Sequence, residues 1–168
     1  NQTEYTQPLL LTVSHALASV LEQEGITPDM TAGLSLGEYS ALVEAGVLNF
    51  KEALKLVAKR GQYMQEAVVE GEGKMVAVLG LEDNVIEDIC REVSTSEALV
   101  VPSNYNTPGQ LVIGGHAEAV DAASEKCLES GAKRAVPLVV SGPFHTPLME
   151  EAKVRFAPVM EVSELHES

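Results

Sequence analysis

Tryptophan is absent from this sequence and aromatic residues make up only 4% of its 168 positions, yet apolar residues reach 45%. That apolar share is enough to build a core and argues against disorder. Basic residues are scarce: 11 Lys+Arg face 25 Asp+Glu, for a formal charge of −14. Such an excess repels phosphate backbones, which argues against nucleic acid as a general partner, and an anionic ligand needs a local cationic anchor. Cys90 and Cys127 are the only cysteines, lie far apart in helix-like segments, and have no CxxC spacing. This is no disulfide framework, and a reducing cytoplasm is expected. His15, His116, His145 and His166 are scattered without HxxxH or HExxH pairing, which argues against a metal site. No apolar run approaches the ~20 residues of a membrane helix; the longest, around residues 8–13 and 135–140, are short. No basic-then-apolar leader opens the sequence, so secretion is not expected. Asn1 stands where an initiator Met would be, so this is not expected to be a natural start.

Helical signals dominate the first third. Thr6 can cap a helix, Pro8 suits a first turn, Leu10, Val13, Leu17 and Leu21 form an apolar stripe, and Gly25 ends it. Residues 31–34 read as a short strand running into Gly33-Leu34-Ser35-Leu36-Gly37. A second helix is expected from Leu36 to about Glu44. A third, capped by Asn49, runs from Phe50 to about Glu70 with Ala53, Leu54, Val57, Ala58 and Met64 as apolar positions. Gly71-Glu72-Gly73 reads as a linker. Beyond it come strand 75–80, helix 83–93, strands 98–102 and 110–113 around an Asn106-Thr107-Pro108-Gly109 turn, helix 118–130 and an apolar run over 134–140. This βαββαβ order is the ferredoxin-like arrangement. The expected division is an α/β lobe over 1–73, a ferredoxin-like lobe over 74–138, and a return to the first lobe over 139–168. A strand feeding a helix belongs to a parallel sheet, and one strand cannot make that sheet, so an incomplete domain is expected.

The segment around Ser35 is a GxSxG turn with a strand before it and a helix after it. Glycines at both flanks free the tight turn of Cβ atoms and project the hydroxyl, and the Leu36 N–H stands at a helix N-terminus where a developing oxyanion is favoured. A small-residue strand-to-helix turn is the alternative for this pattern. A serine nucleophile needs a base. His145, in Ser141-Gly142-Pro143-Phe144-His145-Thr146, is the histidine at the end of a strand-like run, whereas His15 lies within a helix and His116 can merely cap one. No acid stands out as a third member. Arg60, on the third helix, has the planar fork that grips a carboxylate, although most helix arginines are simply solvated. Lys51, Lys55 and Lys59 make a basic stripe, either a wet face or a guide for an anionic partner.

Taken together, these segments resemble the malonyl-CoA:acyl-carrier-protein transacylases and the related acyltransferase domains of fatty-acid and polyketide synthases. The resemblance runs through Thr6-Gln7-Pro8, Gly33 to Ala41, Arg60-Gly61 with Met64, residues 104–114, and Gly142-Pro143-Phe144-His145-Thr146. It implies that Ser35 is the nucleophile, taking malonyl from coenzyme A as an ester. His145 is then the base for both half-reactions, in a dyad whose imidazole is oriented by a backbone carbonyl. Leu36 supplies an oxyanion-hole amide, and Arg60 pairs with the malonyl carboxylate. Phe144 is the malonyl-type residue that crowds an α-methyl. Asn106 and Gln110 are polar positions of the small lobe facing the cleft. The implied partners are malonyl-CoA and an acyl carrier protein, with no cofactor, no metal, no nucleic acid and no membrane. Leu34 stands where the family often has His, and the family's N-terminal glycine–glutamine loop and its C-terminal part are missing. Two alternatives use the same residues: a serine hydrolase or thioesterase running the Ser35–His145 pair on water, and a non-catalytic fragment that docks a carrier protein.

Overall fold

The computed structural model describes residues 2–69 and 71–161. In chain order its elements are α1 (Thr3–Gln23), α2 (Gly37–Glu44), α3 (Phe50–Glu66), β1 (Gly73–Leu79), α4 (Asp83–Val93), β2 (Val100–Thr107), β3 (Gln110–His116), α5 (Ala117–Glu129), β4 (Arg134–Pro137), a 3-10 turn (Pro147–Met149) and α6 (Glu150–Glu161). Two compact units divide the chain: one is Met64–Glu151, the other takes in Gln2–Tyr63 and the chain from Ala152 onward.

The second of these is helical. Leu11, Leu36, Tyr39, Leu48, Ala53, Leu56 and Val57 form its core, with Phe156, Val159 and Met160 of α6 packed against them. Each fully buried aliphatic side chain here is worth ~1.5–3 kcal/mol. Asn49 caps α3 as expected, its Oδ1 accepting the Glu52 N–H at 2.9 Å. The helix stops at Glu66, short of Glu70, and Ala58 faces outward.

Three expectations need correction in this unit. First, α1 begins at Thr3, so Thr6 lies inside it and Pro8 falls in the second turn; Gln2 is the cap residue. The helix runs through the proline because the buried pair Gln7 and Leu11 straddles it and holds that stretch against the unit. Second, the stripe of Leu10, Val13, Leu17 and Leu21 is not core: these residues are 52%, 55%, 63% and 49% exposed. Third, residues 31–33 carry no regular structure. A strand exists only through ladder bonds to a neighbour, and among the described residues every strand belongs to the other unit's sheet. That the described residues form no parallel sheet around Ser35 agrees with the incomplete lobe expected from the sequence.

The other unit is the ferredoxin-like one. Its four-stranded sheet has the order β2-β3-β1-β4, and every ladder is antiparallel. Alternation along the strands sorts the side chains. Val76, Val78, Leu111 and Ile113 face α4 and α5 and share a core with Ile86, Ile89, Val120, Cys90 and Cys127. Met75, Ala77 and Val112 face the opposite side, with Leu79, Leu138 and Phe144 against them. The β2–β3 hairpin turns at Pro108-Gly109, where Gly109 has φ +77°. β4 ends at Pro137, three residues before the apolar run does, because proline has no N–H to continue a ladder.

Candidate active site

Gly33 explains how Ser35 is held. A Cβ at Gly33 would fall 1.9 Å from the Gly37 carbonyl carbon and 2.3 Å from the Glu38 nitrogen, so the chain doubles back on itself only with glycine there. At Gly37 a Cβ would meet nothing within 4 Å, so only one of the two flanking glycines is sterically required. Between them Ser35 takes φ +53°, a left-handed conformation that costs a non-glycine residue ~1–3 kcal/mol. The turn is closed by Gly37 N–H to Leu34 O at 2.9 Å and Glu38 N–H to Ser35 O at 3.2 Å. Leu36, buried and helical in φ and ψ, is the cap position of α2, so its amide lies at the helix start.

Arg60 reaches the serine from α3. Its Nη2 donates to Ser35 Oγ at 3.0 Å and its Nη1 donates to Gln7 Oε1 at 2.6 Å. The guanidinium carbon stands 5.7 Å from the centre of the Tyr39 ring, within cation–π range. Burial lowers the Arg60 pKa from its ordinary value, opposed by Tyr39 and Glu38, and burial likewise raises the Tyr39 hydroxyl. Arginine still carries its charge at neutral pH. It only donates, so it polarises the Ser35 oxygen but cannot take the hydroxyl proton. Met64 lies half-buried one turn further along α3.

His145 is in the other unit, on a loop pinned to the open face of the sheet. A Cβ at Gly73 would sit 2.3 Å from the Pro143 ring, and one at Gly114 would sit 3.0 Å from Thr146 Cγ2. Thr146 Oγ1 donates to Pro143 O at 2.6 Å, and Phe144 packs with Met75, Ala77 and Val112. Held on both sides, His145 itself is exposed and takes φ +58°. Ser35 and His145 are the two non-glycine residues with positive φ among the described residues. The remaining histidines are structural or undescribed. His15 Nδ1 lies 2.9 Å from Glu44 Oε1 and its ring stacks on Phe50, while His116 Nδ1 accepts the Leu99 N–H at 3.0 Å. His166 lies outside the described residues, as does the end of the chain beyond residue 161.

Asn106 and Gln110 lie at the hairpin end of the sheet, with Thr107 paired to Gln110. Gly114, where the His145 loop packs, is four residues along β3, or ~13 Å. On the same face, Asn104 pairs with Val112 and is nearer to that loop. Gln7 and Tyr39 are the residues around Arg60 that the sequence did not single out. A glutamine in a helix reads as a surface residue; the available signal was its place in the Thr6-Gln7-Pro8 segment. Among the described residues no cluster of three or more His, Cys, Asp or Glu could hold a metal ion. Among the described residues no helix is long and apolar enough to cross a membrane.

The sequence model of the acyl transferase domain matches residues 1–161. The malonyl CoA-acyl carrier protein transacylase of Bacillus subtilis is 48% identical over 166 residues, covering 99% of this chain and 52% of that protein. Its namesake in Escherichia coli K12 is 52% identical over 158 residues, covering 94% of this chain and 51% of that protein. The structure of the Coxiella burnetii malonyl CoA-acyl carrier protein transacylase superposes with a TM-score of 0.94 at 48% identity, over 98% of this chain and 52% of that one. A malonyl-transacylase solved in complex with a type II PKS acyl-carrier protein gives a TM-score of 0.95 at 48% identity, over 99% of this chain and 54% of that one. The chain thus spans about half the length of the curated relatives it matches.

Proposed function

From a chain that belongs to the acyl transferase domain family, we propose an acyltransferase that carries malonyl from coenzyme A to the phosphopantetheine thiol of an acyl carrier protein, in the cytoplasm, for fatty-acid or polyketide synthesis. The observation that carries this reading is the strained Ser35, its Oγ 3.0 Å from an Arg60 guanidinium that is itself partly desolvated. A nucleophile beside a half-buried cation is what an acyl group with a free carboxylate calls for.

The steps follow from the groups. Ser35 Oγ attacks the thioester carbon as His145 takes its proton, and the Leu36 N–H receives the developing oxyanion. The carbon–sulfur bond breaks, and the coenzyme A thiolate leaves with the proton that His145 returns. In the second half-reaction His145 deprotonates the carrier thiol, which attacks the malonyl ester and frees Ser35. Arg60 holds the carboxylate throughout, so acetyl leaves a desolvated guanidinium unpaired and is disfavoured. The Phe144 ring narrows the space for an α-methyl, and the Met64 side chain lines the acyl end. This chemistry needs no cofactor beyond the thioester substrate. Asn106 and Gln110 are given no role in these steps.

Mass spectrometry after mixing the natural protein with malonyl-CoA tests this reading. A malonyl adduct on Ser35 that moves to added carrier protein, and is lost in Ser35→Ala, is the expected result. Arg60→Ala should lower malonyl kcat/KM by ~100-fold relative to acetyl. Release of free malonate without carrier acylation would make it a hydrolase, and no adduct at all would leave only a docking role.

A further inference from the structure

Gly73 opens β1 on the face that carries Met75 and Ala77, opposite His116 of β3. It is not one of the glycines with positive φ, so its backbone does not call for glycine. In a strand, glycine packs nothing of its own and marks a close approach. What approaches here is Pro143, one of the fully buried side chains. A Cβ at Gly73 would stand 2.3 Å from Cδ, 2.5 Å from Cγ and 3.1 Å from Cβ of that ring. The pyrrolidine therefore occupies the volume that any other residue at position 73 would fill.

From that anchor the chain turns at once. Phe144 N–H donates to Gly142 O at 3.1 Å, and Thr146 Oγ1 donates back to Pro143 O at 2.6 Å, a strap across Phe144 and His145. Met149 N–H then ties Thr146 O to the following 3-10 turn at 3.0 Å. Inside the strap His145 holds φ +58°, a conformation that persists only where its flanks impose it. We infer that Gly73 is a positioning residue for the base: its missing side chain is a socket for Pro143, and the socket sets where the sheet presents the His145 imidazole. This rests on the acyl-transfer reading above, in which His145 moves the proton, and adds to it a residue that touches no substrate. With a Cβ in the socket the ring must withdraw by about 1 Å to reach ordinary carbon–carbon contact, and the strap passes that shift to His145. Ser35 and Arg60 belong to the other unit and are not displaced by it.

A double-mutant cycle on the natural protein tests this, with kcat and KM measured for malonyl transfer to a carrier protein. Gly73→Ala should lower kcat by ~100-fold while KM for malonyl-CoA changes by less than ~3-fold, since a misplaced base is missed in the transition state and not in binding. Pro143→Ala removes the two ring atoms nearest the new Cβ, so in that background Gly73→Ala should cost less than ~3-fold. Equal losses in both backgrounds, a loss that falls on KM, or full activity in Gly73→Ala overturns the inference. Should Gly73→Ala fail to fold, the strap is tested in its place, with β1 left intact. Thr146→Val cuts it and should lower kcat by ~10-fold, whereas Thr146→Ser keeps the hydroxyl and should stay within ~3-fold; equal activity of these two overturns the inference as well. A wild type that passes no acyl group to a carrier protein sinks the acyl-transfer reading itself, whereas transfer without coupling between positions 73 and 143 sinks this inference alone.

Discussion

Gly33 and Gly37 flank Ser35 symmetrically in the sequence and play unlike parts in the structure. The first is where the backbone folds back to within contact of itself; the second opens α2 with free space where its Cβ would be. Gly33→Ala should therefore cost at least ~1–3 kcal/mol and disturb the serine. Gly37→Ala should leave stability unchanged or raise it by up to ~1 kcal/mol, since alanine is the better helix former. Thermal unfolding of the two variants checks this, and equal losses would mean that the turn is not tight at Gly33. The GxSxG pattern marked Ser35 as a candidate, and the structure gives it a left-handed φ in a turn that only glycine at position 33 permits. Arg60 was legible only as a candidate, since nothing in Lys59-Arg60-Gly61 says whether a helix arginine faces water. That Gln7 meets Arg60 was not legible from periodicity: its burial depends on how closely α1 approaches Gly61, and that approach is a tertiary fact.

Among the elements, the βαββαβ segment was the most readable. Its strands alternate with period two and its helices carry apolar stripes that their own sheet covers, so local pattern and final packing agree. Boundaries moved where hydrogen bonding rather than hydrophobicity decides them: β2 continues through the polar Ser103, Asn104 and Asn106 to the hairpin tip, and β4 halts at Pro137. Readability failed for residues 31–33, where a strand-like composition found no ladder partner among the described residues. The helices α4 and α5 also settle the chemistry of the two cysteines. Cys90 and Cys127 are free, buried thiols of one core, and burial pushes Cys90 up to about 12 and raises Cys127 as well. A folded-state value above the unfolded 9.0 means the native state keeps its proton where the unfolded chain loses it. The stabilising effect is thus complete below pH 9.0 and is lost as pH rises toward about 12. At pH 8 only about one Cys90 in ten thousand would be thiolate. Iodoacetamide should accordingly leave both cysteines unmodified in the native protein at pH 8 and alkylate both after unfolding in urea. Rapid native labelling would show that α4 and α5 do not pack as described.

For the molecule as a whole, a formal charge of −14 and an uncovered apolar helix face pull in opposite directions. Leu10, Val13, Leu17 and Leu21 lie on α1 at helical spacing and are all about half-exposed or more, and Leu9 and Val20 beside them are exposed as well. A contiguous apolar strip of this kind marks either an interface or a liability to association. Net charge of one sign keeps copies apart over roughly a Debye length, ~30 Å at 0.01 M salt and ~3 Å at 1 M. The 168-residue chain produced by itself should therefore be least associated at low ionic strength and should form oligomers as salt rises toward ~1 M, the reverse of what ion-pair-driven assembly would do. Sedimentation velocity across that salt series is the measurement. Placing charge on the strip, with Leu10→Glu and Leu17→Glu together, should restore the monomer at high salt, because neither side chain contributes to the core of its unit and the fold has little to lose. A chain that stays monomeric at every ionic strength, or a double variant that still associates, would mean that the α1 face is not what brings copies together.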